Sequence, residues 1–225
     1  MVHEIIQMMS DAERREFEAV SEALSTGEFW YDTDTNDLWN DHYVSNFDYE
    51  TGSTKVCVSV KGMYLKTTYA HCVYASGNNE NEMEVRPYGD DDVDYAAVEE
   101  TVYQNAVIDG VEKFFAETEG LGNGVYAQRK VHNIFTIPVD YPSNSDEHHK
   151  ALDLINKYGL NKIPEGFILA ALEDGSTIEE LQTLACFLNK FDINDLHDGN
   201  MGWIDGHPVF FDYCGYCSSI SQRVM

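Results

Sequence analysis

The residues between Asp192 and Tyr213 read DINDLHDGNMGWIDGHPVFFDY, with five aspartates, two asparagines and two histidines. Asp195 and Asn200 stand five positions apart, and Asp212 follows twelve later, at the end of the apolar run PVFF. One carboxylate that can orient an attacking hydroxyl, followed by two oxygen donors suited to Mg2+, is the inventory that phosphoryl transfer needs. The plainer reading is a polar hairpin on an acidic protein. PVFF has the composition of a buried strand, and a strand of that kind rarely ends in an aspartate that lacks a partner.

The elements around this segment must hold those side chains in place. MGWIDGHPVFF reads as a hairpin that returns Asp212 towards Asn200, with Gly206 in the turn and Pro208 near the strand entry. Upstream, Ser176 to Lys190 reads as a helix capped by Ser176 with Glu179 and buried through Leu181, Leu184, Ala185 and Leu188. Ser145 to Tyr158 is another, stopped by Gly159. Earlier still, Ser10 and Glu13 form a capping box for a helix to about Leu24, with Phe17, Val20 and Leu24 on one face.

From Lys55 to Arg86 the pattern changes to strands, KVCVSVKG, TTYAHCVYA and NEMEVRP, separated by Gly and Asn. Helical spacing runs from Asp94 to Glu117 with Ala97, Val98, Val102, Ala106 and Phe114 inward, and GNGVYAQRKV then reads as a turn and a strand. Residues 27 to 53 have no clean period, and there is no internal repeat. The expected organisation is an acidic N-terminal helix and extension (1–54), a β-rich segment with one long helix (55–131) and a helical segment that carries the acidic loop (132–225).

DLHDGN followed by VFFDYCG resembles the catalytic loop and metal-binding strand of the protein-kinase-like superfamily, D-x-x-x-x-N and then D-F-G. It looks most like the short kinase-like proteins of bacteriophages and the aminoglycoside-phosphotransferase branch. The resemblance implies an α+β, bilobal fold with a small β-rich N-lobe and a truncated α-helical C-lobe. It implies a phage-encoded kinase that uses Mg2+ and ATP on host proteins. Asp195 would be the catalytic base, Asn200 and Asp212 the metal ligands, Glu99 or Glu100 (with Glu100 preferred) the helix acid, and Lys130 and Val131 the hinge against adenine. Tyr213 takes the Phe position and Cys214 the Gly position.

The phosphate-binding part departs from that pattern. The second strand, read as LKTTYAHCVY, has no glycine, and Arg86 is the best stand-in for the strand lysine, ahead of Lys61. Ile193 and Asn194 replace the usual His-Arg. His197 either touches phosphate or acceptor, or closes the loop through hydrogen bonds, and His148-His149 reads as a solvated pair.

Composition bounds the alternatives. With 225 residues, 43% hydrophobic and 12% aromatic, the chain can build a core. No apolar run approaches the ~20 residues of a membrane span, and the N-terminus does not read as a secretory signal, so a cytoplasmic location is expected, the host cytoplasm for a phage protein. Five cysteines fit packing in a reducing compartment, and CGYC lacks a redox context.

The formal charge is -26, with 22 acidic and 6 basic residues in 1–100 and 18 and 8 beyond. Such a field disfavours nucleic acid and membrane surfaces and attracts a basic partner. It reads either as solubility or salt adaptation, or as carboxylates that imitate DNA phosphates and occupy a host DNA-binding or defence protein. DTDTNDLWND and YGDDDVDY, with Asp90, Asp91 and Asp92, would supply that face, and an exposed Trp30-Trp39 pair a partner surface. On that alternative the chain is an inactive kinase-like scaffold.

Overall fold

A computed structural model describes residues 2–26, 30–32, 37–39, 49–51, 55–68, 73–75, 94–134 and 140–213. In chain order the elements are α1 (Val2–Met8), α2 (Asp11–Thr26), β1 (Trp30–Asp32), β2 (Asp37–Trp39), β3 (Tyr49–Thr51), β4 (Lys55–Val60), β5 (Met63–Thr68), β6 (Val73–Ala75) and α3 (Tyr95–Asp109). They continue with β7 (Thr118–Gly122), β8 (Val125–Arg129), β9 (Asn133–Ile134), α4 (Asp146–Tyr158), α5 (Glu165–Glu173), α6 (Ile178–Lys190), β10 (Met201–Ile204) and β11 (His207–Phe210). The fold is mixed α+β. It divides into two compact units, one of residues up to 100 with 117–130, the other of 101–116 with the chain from 131 onward.

The first unit is built on an antiparallel five-stranded sheet in the order β3-β4-β5-β8-β7. Alternation along the strands gives its two faces opposite characters. Val56, Val58, Val60, Met63, Leu65, Val125 and Ala127 bury one face against Val2, Met9, Phe17, Val20, Ala23 and Leu24 of the N-terminal helical segment. Each Val or Leu buried this way contributes about 1.5–3 kcal/mol. Residues of the opposite parity are Lys55, Cys57, Tyr64, Lys66, Thr68, Tyr126 and Gln128, a largely polar set.

The capping box of α2 forms as expected: Ser10 N–H donates to Glu13 Oε2 at 2.9 Å, and Glu13 N–H donates back to Ser10 Oγ at 3.4 Å. The β4–β5 register pairs Val60 with Met63, so Lys61 and Gly62, both at positive φ, make the two-residue turn.

TTYAHCVYA is therefore not one strand. The second strand of the hairpin is MYLKTT, and Val73–Ala75 is a separate element, parallel to β1. NEMEVRP, with Arg86, and Asp90 to Asp92 lie outside the described residues, as do the side chains of Trp30 and Trp39. β7 was not expected, because TEGLG has neither alternation nor β-branched residues beyond Thr118.

α3 starts where its spacing predicts but stops at Asp109, ahead of Gly110 at φ 72°, and a short 3-10 turn follows at Glu112–Phe114. Asp94 caps it, accepting the N–H of Ala96 at 3.1 Å and of Ala97 at 3.0 Å. One carboxylate of the acidic YGDDDVDY stretch is thus used inside the fold. Ala96 is buried, not Ala97.

The second unit carries α4, α5 and α6 and a small antiparallel sheet ordered β11-β10-β9. Phe114, Phe167, Phe187, Phe210 and Tyr213 are all buried, with Phe167 stacked on Phe210 at 4.0 Å. α4 begins at Ser145, whose Oγ accepts the His148 N–H, and ends on Gly159 in the left-handed region, as its sequence predicts. α6 is capped one residue later than expected: Thr177 accepts from Glu180 N–H at 3.2 Å, and Glu180 Oε2 accepts from Thr177 N–H at 2.7 Å. α5 escaped notice because EGFILAALE is apolar nearly all round and has no capping side chain.

Candidate functional site

α6 is followed by Phe191 as its C-cap, and Asp192, at φ 51°, turns the chain out of the helix. Ile193 is fully buried and donates its N–H to Leu188 O at 3.0 Å, anchoring the loop to the helix end. Asn194 bonds Asp192 through its side-chain amide at 2.9 Å and also accepts from Lys162 Nζ. The Asn194 amide, and after it the Lys162 ammonium, hold the Asp192 carboxyl below its ordinary value.

The next turn closes around Asn200. Its N–H donates to His197 O at 2.9 Å, and its side-chain Nδ2 donates to Asp195 O at 2.9 Å. The second bond fixes which end of the buried amide is oxygen, so Oδ1 faces away from the Asp195 carbonyl. His197 Nδ1 accepts the Gly199 N–H at 3.1 Å, which puts the imidazole proton on Nε2, 3.6 Å from Asp195 Oδ1. His197 thus closes the loop through a hydrogen bond. A Cβ on Gly199 would come within 2.9 Å of the His197 ring, so a larger residue there would push the imidazole aside. The Asp195 side chain remains 34% exposed.

The β10–β11 hairpin delivers Asp212. Ile204 pairs with His207 around Asp205-Gly206, both at positive φ, and Met201 pairs with Phe210. Phe211 N–H then donates to Asn200 O at 3.0 Å, so Asp212 is the residue immediately past a bond to Asn200. Phe211 and Tyr213 are buried on either side of the half-buried Asp212, and alternation turns the carboxylate the other way. Tyr213 is locked by its hydroxyl on Ala116 O at 3.3 Å and by edge-to-face contact with Phe115 at 5.0 Å. One loop and one hairpin thus set Asn200 against the Asp195 carbonyl and against the strand residue that precedes Asp212. Asn200 Oδ1 and the Asp212 carboxylate are hard oxygen donors of the kind Mg2+ takes.

In the first unit the polar sheet face carries a buried ionic cluster. Glu99 of α3, with no exposed surface, accepts from Lys55 Nζ at 2.5 Å on Oε1 and from Lys66 Nζ at 3.0 Å on Oε2. Gln128 Nε2 approaches the same Oε2 at 3.3 Å and donates to Thr118 Oγ1 at 2.9 Å. Tyr126, beside Asp94, has its phenol pushed up, by burial first and then by that carboxylate.

The lysine-paired acid of α3 is therefore Glu99. Glu100 instead accepts the Gly120 N–H of β7 at 2.9 Å, a bond that ties the helix to the sheet edge. Lys61, the second-choice strand cation, pairs with Glu16 at 2.8 Å on the surface. Lys130 donates to Ser59 Oγ at 2.6 Å and lies over the Tyr64 ring at 5.4 Å, and Val131 is buried.

Sequence reading missed Lys55 and Lys66. The available signal was a lysine in the middle of MYLKTT, a strand buried at every position, where an ammonium requires a partner. His148 is not part of a solvated pair: its Nδ1 lies 3.0 Å from Glu165 Oε2, because α5 begins with that buried acid.

Among the described residues no helix is long and apolar enough to cross a membrane. In comparisons with known proteins, the chain matches no family model, no curated protein and no solved structure.

Proposed function

We propose that the protein is a Mg-ATP-dependent phosphotransferase of the protein-kinase-like type, with a small β-rich lobe and a truncated helical lobe. The observation that carries this reading is the loop in which Asn200 bonds the Asp195 carbonyl and the hairpin in which Phe211, next to Asp212, bonds Asn200, in the order and spacing of D-x-x-x-x-N and D-F-G. Asp195, partly exposed and flanked by the Nε2 of His197, would accept the proton of an acceptor hydroxyl. Asn200 and Asp212 would hold Mg2+, which neutralises charge on the transferring phosphoryl group when bound.

The first unit adds independent support. In protein kinases a lysine on the third strand pairs with a glutamate on the helix that follows. Lys66 sits on the third strand of the sheet order β3-β4-β5, and α3, with Glu99, is the next helix in the chain. On this reading Lys66 would be the strand lysine, a role for which Arg86, outside the described residues, was the other candidate. Host proteins are the acceptors this reading favours.

The test is thermal unfolding with and without Mg-ATP on the native chain and on Asp212→Ala. A ligand that binds only the folded state raises the midpoint, by about 2.7 kcal/mol of stability at a hundredfold excess over Kd. We expect a rise that needs both Mg2+ and Asp212, and transfer to a protein substrate that Asp195→Ala abolishes while binding is retained. No rise at millimolar nucleotide would refute the enzyme. Function would then pass to the acidic surface of the -26 chain, as a scaffold that binds a basic, DNA-binding protein.

A further inference from the structure

Asparagine followed by glycine occurs once in the chain, at Asn123-Gly124, and aspartate followed by glycine four times, at Asp109, Asp174, Asp198 and Asp205. In each pair the side-chain carbonyl carbon and the next backbone nitrogen can close a five-membered ring, and glycine has no Cβ to shield that nitrogen. The structure separates the pairs. Asp109 Oδ2 accepts from Lys190 Nζ at 2.6 Å, Asp174 Oδ2 lies 2.7 Å from His207 Nδ1, and Asp205 Oδ1 lies 3.9 Å from His132 Nε2. A carboxylate, ionised at neutral pH, also resists attack at its carbon, whereas an amide carries no such charge. Asn123 is an amide, exposed at the tip of the β7–β8 hairpin, and among the described residues none bonds its side chain.

The tip holds this pair in a defined conformation. Gly122 pairs with Val125, so Asn123 and Gly124, at φ 52° and 73°, form a two-residue type I′ turn. Thr67 Oγ1 donates to Gly124 O at 2.9 Å and fastens the turn to β5. Ring closure needs the Gly124 nitrogen to swing onto Asn123 Cγ, which that bond opposes. The β7–β8 register shifts between Gly120 and Gly122, so the tip can open while the rest of the sheet stays paired.

We propose that Asn123-Gly124 is a site of spontaneous deamidation, at which the chain modifies itself with water as its only co-reactant and Thr67 as the brake. The Gly124 nitrogen gives its proton to water and attacks Asn123 Cγ. As the N–Cγ bond forms, the Cγ–Nδ2 bond breaks, and ammonia leaves with a proton returned from water. Water then opens the succinimide at Cγ, which leaves aspartate, or at the main-chain carbonyl carbon, which leaves isoaspartate with a backbone one atom longer. Either product adds a negative charge at the tip, and the longer one does not match a two-residue turn between Gly122 and Val125. The inference is independent of the phosphotransferase reading.

The experiment incubates the full chain in mildly alkaline buffer and follows every asparagine by peptide mass spectrometry, with fragmentation that distinguishes isoaspartate from aspartate. We expect the Asn123 peptide to convert first, at least tenfold faster than any other, and to yield both products. Gly124→Ala should slow it at least tenfold, because a Cβ shields the attacking nitrogen. Strain of alanine at φ 73° loosens the turn and works against that slowing, so the slowing is a stringent result. Thr67→Val, which keeps the side-chain shape and removes the hydroxyl, should speed conversion severalfold. Earlier conversion at another asparagine, or an unchanged rate in Gly124→Ala, overturns the site. Aspartate without isoaspartate means direct hydrolysis of the amide and overturns the ring. An unchanged or slower rate in Thr67→Val overturns the brake.

Discussion

Replacing Glu99 with leucine tests the ionic cluster as a structural device. The substitution removes a carboxylate that bonds both Lys55 and Lys66, and it puts an apolar side chain against two buried ammonium groups. Breaking a buried pair by removing one partner costs about 3–5 kcal/mol, because a charge remains that neither water nor a counter-ion compensates. For a chain of this length 1 kcal/mol corresponds to about 2–4 °C, so the midpoint should fall by about 6–20 °C.

The companion variant Lys55→Met/Lys66→Met/Glu99→Leu removes all three charges while roughly keeping their volume. Apolar replacement of a whole buried ionic group is often neutral or stabilising, so the triple variant should recover most of the loss. The assay is urea unfolding followed by circular dichroism, supported by a thermal scan. A fall of less than about 1 kcal/mol in Glu99→Leu would mean that the lysines find other solutions at low cost, in the surface-pair range. A triple variant less stable than the single one would show that packing of the lysine stems, and not charge, holds the cluster.

Two further outcomes are open to simple measurement. Thr177→Ala should destabilise by about 1 kcal/mol in urea unfolding, whereas Ser176→Ala should be nearly neutral, because only Thr177 Oγ1 accepts the Glu180 N–H. Lys162→Met should bring the Asp192 carboxyl up towards its ordinary value of 3.8, followed by carboxyl NMR titration. Since the folded-state value is depressed, any stability this group gives is complete above the ordinary value and is lost as the pH falls below it.

The local signals in the sequence were read correctly where one stretch of chain contains both partners. Ser10 with Glu13, Ser145 before α4 and Gly159 after it are all used as their positions predict, since a cap is completed within four residues. The Asp205-Gly206 turn is legible for the same reason, and so is the closeness of Asn200 and Asp212 across an eleven-residue hairpin segment. The Ser176 cap failed by one residue because Ser-Thr followed by Glu-Glu allows both registers.

Sequence by itself also determined that the chain returns from Asp195 past Asn200 to the residue before Asp212, because a short loop and a tight turn leave the backbone few alternatives. Only the tertiary structure decided which cations matter. Lys55, Lys66, Glu99 and Gln128 are scattered over more than seventy positions, and nothing local separates Lys66 from Lys61 or Glu99 from Glu100. Strand alternation and the rotation of α3 choose between them, since adjacent residues point to opposite sheet faces and to helix directions about 100° apart. That choice depends on which sheet face the N-terminal helices cover, and so on apolar contacts that join Val2 to Ala127.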